Sequence, residues 1–257
     1  MGTALVTGAT AGIGHSFVRH LAADGYDLVL VARGQERLDE VAEEVRTVFG
    51  RKVETISADL TDRSDLQRVA DRVGDPERPL DLLVNNAGFG LGHGFLRGDV
   101  AAQERLLDIH CRAVLVLSHA AAEVMAGRGQ GAILNVSSVA GFAVMGTYSA
   151  VKAWETTFSE ALAAELGPRG VRVMALCPGF VRTEFHERGR INMSKLPEAG
   201  WLDVDDVVSA GLADLARGRV VSIPSKRFKT VSFLSRHAPR SLVRKASSTI
   251  QARRASS

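Results

Sequence analysis

The stretch Thr7-Gly8-Ala9-Thr10-Ala11-Gly12-Ile13-Gly14 follows a short apolar run and leads into a helical pattern. Its GxxxGxG spacing lets the backbone turn tightly and approach a ligand, and the start of the following helix stabilises negative charge. A nucleoside triphosphate loop needs GK[ST] after its second glycine, whereas this chain has Ile13 there. Taken alone, the motif is equally typical of a plain turn. We interpret it as a pyrophosphate site built from Gly8, Thr10, Gly12, Ile13 and Gly14.

Short β-branched runs alternate with longer helical patterns along the chain, which is typical of βαβ units in a parallel sheet. Most of the strands are almost wholly apolar, as expected where helices cover both faces. This predicts an α/β fold with a doubly wound, seven-stranded parallel sheet. The predicted strands are Thr3–Thr7, Asp27–Ala32, Val53–Ser57, Leu80–Asn85, Ala132–Ser137, Val171–Cys177 and Val220–Ile223. The predicted helices are Ile13–Ala23, Glu36–Val48, Ser64–Val73, Ala102–Met125, Tyr148–Leu166 and Val204–Ala216.

Polar and glycine-containing motifs lie at the ends of several strands. Because the carboxyl ends of parallel strands share one edge of a sheet, where open α/β sheets bind ligands, we expect these motifs to lie together. They are Ala58-Asp59-Leu60, Asn85-Asn86-Ala87-Gly88, Asn135-Val136-Ser137-Ser138, Tyr148-Ser149-Ala150-Val151-Lys152 and Cys177-Pro178-Gly179-Phe180-Val181-Arg182-Thr183.

The order and spacing of these motifs resemble the classical short-chain dehydrogenase/reductase family over residues 3–223. TGAxxGIG, NNAG, SS, YxxxK and PGxVxT occur in the family's order. The resemblance implies a Rossmann-type subunit, residues 1–224, that uses a nicotinamide dinucleotide, with Ser138, Tyr148 and Lys152 as the catalytic trio. It also implies that the cofactor contacts Asp59, Leu60, Asn86, Ala87, Gly88, Tyr148, Lys152, Pro178, Gly179, Val181 and Thr183.

The chemistry of the trio follows from its residue types. Tyr148 and Lys152 are four apart on one predicted helix, so their side chains share a face. A free tyrosine titrates near pH 10, and we expect the neighbouring ammonium to lower that pKa. In carbonyl reduction Tyr148 would then protonate the oxygen while the Ser138 hydroxyl holds it. The alternative for YxxxK is a pair of surface residues on one face of a helix. The alternative for the serines is a hydroxyl that caps the end of the strand, and we assign that role to Ser137.

The residues after the second predicted strand bear on the choice of cofactor. An acidic residue there would bind the adenosine ribose of NAD, but this chain has Ala32 followed by Arg33. A guanidinium suits a 2′-phosphate, so we expect NADP(H) to be preferred over NAD(H). Arg37 is either a second contact or a solvated helix charge.

Two features depart from the family's pattern. His110 stands where the family has an asparagine that positions a proton-relaying water. Histidine can replace that link because it donates, accepts and titrates near neutrality, but it can equally be a packed helix residue. The segment between Ser138 and Tyr148 is also shorter than usual, which would widen the pocket mouth. With Phe89, Leu91, Phe95, Phe180 and Phe185 it indicates a hydrophobic ketone or aldehyde, and its alcohol, as the substrate pair.

The composition of the sequence excludes several other classes of protein. The 257 residues are 46% hydrophobic and 24% charged, which excludes a disordered or collagen-like chain. Cys111 and Cys177 are too few for a disulfide scaffold and lack metal-site spacing, so we expect no metal and a cytoplasmic protein. No apolar run is long enough to predict a membrane-spanning helix, and no secretion signal precedes the first strand.

Positive charge is concentrated at the end of the chain. The net charge is +3, but no acidic residue follows Asp214, and residues 215–257 contain eleven Lys or Arg. We predict that residues 225–257 form a basic, helical extension. This extension either packs on the body, which we favour, or lies on anionic membrane, or is disordered; we expect no nucleic acid partner.

Three functions compete on this reading: a reductase, the same enzyme at a membrane, and a catalytically silent dinucleotide-sensing or membrane-surface binding protein. The intact trio favours the enzyme. The helices predicted over 102–125 and 148–166 are apolar on more than one face, so we expect a homodimer or homotetramer.

Overall fold

The computed structural model describes residues 2–189, 191, 197–239, 241–245 and 247. Seven parallel strands form one sheet in the order β3-β2-β1-β4-β5-β6-β9. This order is doubly wound from β1 and confirms the predicted fold class. The strands are β1 (Thr3–Thr7), β2 (Asp27–Ala32), β3 (Val53–Ser57), β4 (Leu82–Asn85), β5 (Gly131–Val136), β6 (Val171–Leu176) and β9 (Val221–Ser222).

Helices cover both faces of this sheet. Their bounds are α1 (Gly12–Ala23), α2 (Gln35–Phe49), α3 (Arg63–Val73), α4 (Val100–Leu107), α5 (Ala113–Arg128), α6 (Gly146–Leu166) and α8 (Val204–Ala216). The single helix predicted over 102–125 is two α-helices joined by a π-helical turn, Asp108–Arg112. Such turns re-aim side chains and are frequent at functional sites, and this one carries His110.

Alternate residues of the central strand supply the two halves of the core. Leu5 packs into the cluster under α3 and α5, whereas its neighbour Val6 packs into the cluster under α1 and α8. Both side chains are fully buried. A strand that is apolar at every position therefore fits a sheet covered on both faces, as the sequence predicts.

Smaller elements follow β6 at the carboxyl edge of the sheet. The strands β7 (Phe180–Val181) and β8 (Trp201–Leu202) pair in parallel, and α7 (Phe185–Arg188) follows β7. Helix α9 (Lys226–His237) lies within the predicted basic extension, and its Phe228 packs with Phe142 and Ile223 of the body. Residues 248–257 of that extension lie outside the described residues.

The helical stretch Val100–Arg128 is long and apolar enough to cross a membrane by length and composition, with a mean hydropathy of 1.3. Half of its most apolar window is buried inside the fold. This stretch is therefore apolar because it packs as a core helix against the seven-stranded sheet.

Candidate active site

The glycine turn after β1 has a backbone that side chains would not permit. Gly8 has a φ of +66°, and a Cβ on Gly14 would collide with the carbonyl oxygen of Gly8. Helix α1 then starts from Ala11 with extended backbone, and among the described residues no side chain caps it and no acidic residue lies in its first turn. Its first N–H groups are consequently directed toward a cleft without a protein acceptor, which fits an anionic ligand.

Residues from β4 hold this turn in place. The Asn86 side-chain amide donates to the carbonyl oxygens of Thr7 at 2.9 Å and Gly8 at 3.3 Å. The Thr7 hydroxyl oxygen accepts from the backbone N–H groups of Asn86 at 2.9 Å and Ala87 at 3.0 Å. Thr183 lies across the turn, since a Cβ on Gly12 would be 2.9 Å from Thr183 Cβ. The predicted residues of three motifs are thus in contact.

The other residues predicted to contact the cofactor lie along the same edge. Asp59 accepts from the backbone N–H of Thr61 at 2.9 Å, and the neighbouring Leu60 is buried. The carbonyl of Pro178 accepts from Val139 at 3.1 Å, next to Gly179, and Val181 is buried in β7. Gly88 packs directly against the ring of His110.

The two arginines after β2 differ in their surroundings. Arg33 is exposed at the strand end, and within the described part of the chain no carboxylate forms an ion pair with it. Arg37 forms an ion pair with Glu184 at 3.3 Å, and both side chains line the cleft beside Thr10 and Gly12. Arg37 is therefore a solvent-exposed helix charge that forms a surface ion pair with Glu184.

The predicted trio meets at the end of β5 and the start of α6. Ser138 accepts from the N–H of Ala140 at 3.1 Å and lies near the phenol of Tyr148, whose pKa it lowers. The Lys152 ammonium lies 5.8 Å from the centroid of the Tyr148 ring. Ser137 points the other way, and its hydroxyl donates to the backbone carbonyl of Lys152 at 2.7 Å. The second serine of the pair is the one that faces the phenol.

The expected effect of Lys152 on the phenol is wrong for this structure. Burial raises the pKa of Tyr148, the nearby Glu155 carboxylate raises it further, and only the hydrogen bond with Ser138 lowers it. The physical reason is that Lys152 donates to the Glu155 carboxylate at 2.8 Å, so much of its charge is neutralised locally. The phenol therefore stays protonated over a wide pH range.

Glu155 is the site residue that sequence reasoning missed. It is 2% exposed and contacts both Lys152 and His110, whose Nδ1 lies 2.9 Å from Glu155 Oε1. A signal was present, because a carboxylate three residues after Lys152 lies on the same helix face as the lysine.

The apolar residues predicted around the pocket separate into three groups. The ring of Phe185 lies 5.8 Å from that of Tyr148, and Phe89 lies 6.3 Å from His110, so both border the site. Phe180 instead packs against Phe228 of α9. Phe95 is 69% exposed, well out of the core. Phe95 and Phe180 therefore do not border the site, and fewer apolar residues line the pocket than the sequence predicts.

Comparison with known proteins agrees with this geometry. The family model for short chain dehydrogenases matches residues 2–193. An uncharacterized oxidoreductase of Staphylococcus saprophyticus is 35% identical over 183 residues, which are 70% of this chain and 78% of that protein. A short-chain dehydrogenase from Sphingobium yanoikuyae, solved in complex with NADPH, is 37% identical with a TM-score of 0.85, covering 92% of this chain and 94% of that one. The bulky-bulky ketone specific alcohol dehydrogenase from Comamonas testosteroni is 33% identical with a TM-score of 0.80, covering 92% of each chain.

Proposed function

This chain belongs to the short-chain dehydrogenase family, and from that premise we propose that it is an NADP(H)-dependent oxidoreductase that interconverts a hydrophobic ketone or aldehyde with its alcohol. The observation that carries the proposal is the placement of the buried Lys152 ammonium 5.8 Å from the centroid of the Tyr148 ring, with Ser138 near the phenol. NADP(H), when bound, supplies or accepts the hydride. Its phosphates would be held by the glycine turn and the first N–H groups of α1.

Each member of the trio has a distinct role in reduction. Tyr148 donates its phenolic proton to the carbonyl oxygen as the carbonyl carbon gains hydride, and the Ser138 hydroxyl donates a hydrogen bond to the same oxygen. Lys152 supplies positive charge beside the phenolate that results. Because burial raises the pKa of Tyr148, reduction has its proton donor at neutral pH, whereas alcohol oxidation needs the phenolate and should accelerate as pH rises.

The preference for NADP(H) is supported by the end of β2. Arg33 is exposed there without a described carboxylate partner, and Ala32 replaces the acidic residue that NAD would require. The Sphingobium yanoikuyae neighbour was solved with NADPH. A bidentate guanidinium is well suited to a phosphate group.

The substrate class is supported by the rings around the phenol. Phe185 and Phe89 present apolar surface next to the point where the carbonyl oxygen would lie. The short turn between Ser138 and Tyr148 leaves few residues to narrow the mouth. The Comamonas testosteroni neighbour is specific for bulky-bulky ketones, and we propose substrates of that class.

The test follows NADPH absorbance with a panel of bulky apolar ketones, for wild type and for Tyr148→Phe. We expect kcat to fall by about 10²- to 10⁴-fold, because the substitution removes the proton donor, with little change in NADPH affinity. The matched control is Tyr26→Phe, since Tyr26 is the other of the two tyrosines and lies outside the site. Unchanged turnover in Tyr148→Phe would contradict the proposed mechanism.

The second candidate is a catalytically silent dinucleotide-sensing protein. NADPH binding by the wild type without oxidation of NADPH by any ketone in the panel would favour it. The intact trio favours the enzyme, because a protein that only binds a dinucleotide needs no proton donor such as the Tyr148 phenol.

We further propose a cytoplasmic protein whose basic extension contacts anionic membrane. On α9 the exposed side chains of Phe233 and Leu234 lie close in sequence to Lys226, Arg227 and Lys229, a combination that suits an interfacial helix. Sedimentation with anionic vesicles should retain the full chain and release a chain truncated before Lys226. Equal recovery of both in the supernatant would contradict membrane contact.

A homodimer or homotetramer is also proposed, through α5 and α6. Leu115 of α5 is 46% exposed, and the rings of Trp154 and Phe158 stack at 4.7 Å on α6. Light scattering of the purified protein gives the subunit number directly.

A further inference from the structure

Three ionisable side chains form a continuous buried series next to Tyr148. Lys152 Nζ donates to Glu155 Oε2 at 2.8 Å, and Glu155 Oε1 lies 2.9 Å from His110 Nδ1. His110 Nε2 lies 2.9 Å from the carbonyl oxygen of Phe89. The relative exposures of Lys152, Glu155 and His110 are 5%, 2% and 1%. We call this series the Lys152–Glu155–His110 chain.

The Lys152–Glu155–His110 chain fixes the direction of the Lys152 ammonium. Besides Glu155, the ammonium donates to the backbone carbonyl of Val136 at 2.8 Å. An ammonium has three N–H donors, so two of its directions are set by these bonds and the third follows from them. A flexible lysine side chain is thereby held in one orientation beside the phenol of Tyr148.

The partners of His110 also determine how many protons the chain holds. The Phe89 carbonyl only accepts, so Nε2 must carry a hydrogen. Nδ1 and Glu155 Oε1 then share one further proton, either on the imidazole or on the carboxyl group. Loss of that proton would leave a lone pair facing a carboxylate oxygen at 2.9 Å. The same count shows that Nε2 ends on a backbone carbonyl, which cannot pass a proton onward.

We propose that Glu155 is the positioning residue of the catalytic lysine, anchoring and partly neutralising its ammonium, and that His110 holds Glu155 in place. The inference rests on the proposed function, because it takes Lys152 as the catalytic lysine. It assigns the unusual histidine a holding role, and it explains why an ionisable residue stands at position 155 in the interior of α6.

The other titratable groups that face the Lys152–Glu155–His110 chain are Tyr148 on α6, Cys111 beside His110, and Cys177 directly after β6. Burial raises the pKa of the Cys111 and Cys177 thiols to about 11, so both stay neutral near pH 7. Burial and the Lys152 charge lower the pKa of His110, which the hydrogen bond with Glu155 opposes.

The decisive variant is Glu155→Gln. Its amide oxygen can accept from Lys152 and its amide N–H can donate to His110 Nδ1, while His110 Nε2 still donates to Phe89. Every hydrogen bond is kept, and the proton shared by His110 Nδ1 and Glu155 Oε1 is lost together with the carboxylate, so the net charge of the pair does not change. Glu155→Gln should therefore keep kcat close to that of wild type.

Two further variants test the anchoring of Lys152. Glu155→Leu can make neither bond, so its kcat should fall about tenfold below that of Glu155→Gln. Glu165→Leu makes the same change at an exposed position of α6 and should leave kcat unchanged. If Glu155→Leu does not fold, Glu155→Met makes the same comparison with a side chain of the length of glutamine.

A readout without cofactor or substrate completes the test. In ¹⁵N-histidine-labelled protein, with the His110 signals assigned through His110→Asn, we expect a protonated Nε2 in both wild type and Glu155→Gln. A bare Nε2, or equal kcat values for Glu155→Gln and Glu155→Leu, would overturn the proposal. If the wild type reduced no ketone while the NMR result held, the proposed function would fail and the holding of Glu155 by His110 would still be supported.

Discussion

Helices α1 and α3 follow strands of the same sheet, but their first turns are built differently. Helix α3 starts from Asp62, whose carboxylate accepts from the backbone N–H groups of Ser64 at 2.8 Å and Asp65 at 3.0 Å. Helix α8 is capped in the same way by Asp203. Helix α1 starts from Ala11, and no described side chain caps it.

The two helix starts differ in what their first turns contribute, because a cap stabilises a helix whereas uncapped N–H groups can bind a ligand. A capping side chain stabilises a helix by about 1 kcal/mol, and α1 lacks that stabilisation although Ala11 already has the extended backbone of a capping position. Gly12, the first residue of α1, lines a cleft together with Thr10. In the proposed function this uncapped first turn holds the cofactor phosphates, whereas the first turn of α3 is capped by Asp62.

The largest expected effect comes from giving α1 the cap that α3 has. In Ala11→Asp the new carboxylate should accept from the free N–H groups and stabilise the cofactor-free protein by about 1 kcal/mol. The same carboxylate would lie against the phosphates, so NADPH affinity should fall on the order of 100-fold. Thermal unfolding with and without NADPH, together with fluorescence titration, measures both effects.

The matched control removes the cap at α3. Asp62→Ala should destabilise the protein by about 1 kcal/mol and leave NADPH affinity unchanged, which is the reverse pattern. If Ala11→Asp bound NADPH as tightly as wild type, the N-terminus of α1 would not be the phosphate site.

The end of the sheet that carries the glycine turn could be predicted almost completely from sequence. The strands Thr3–Thr7, Asp27–Ala32 and Val53–Ser57 have their predicted bounds. The reason is physical, because β1 and β2 are apolar runs covered on both faces, β3 is rich in β-branched residues, and the turn depends on backbone conformations that only glycine adopts freely. Such signals are local in sequence.

The catalytic end could be predicted only in part, because its chemistry depends on contacts between distant residues. The resemblance of the motifs to the family implies Ser138, Tyr148 and Lys152, but the bond between Glu155 and His110 joins residues 45 apart. No local sequence pattern predicts the π-helical turn that carries the buried His110. The predicted direction of the Tyr148 pKa was wrong for the same reason, since it considered Lys152 without its buried partner.

The smallest expected effect concerns α2, which also starts without a described side-chain cap and directly follows Arg33. Charge-assisted hydrogen bonds contribute about 1.5–3 kcal/mol, so Arg33→Ala should weaken NADPH binding about 10- to 100-fold and leave NADH binding unchanged. The matched control is Arg37→Ala, since Arg37 is already paired with Glu184 at 3.3 Å and should contribute less. Titration of each variant with both cofactors measures the selectivity. Equal losses for NADPH and NADH in Arg33→Ala, or a greater selective loss in Arg37→Ala, would show that Arg33 does not contact the 2′-phosphate.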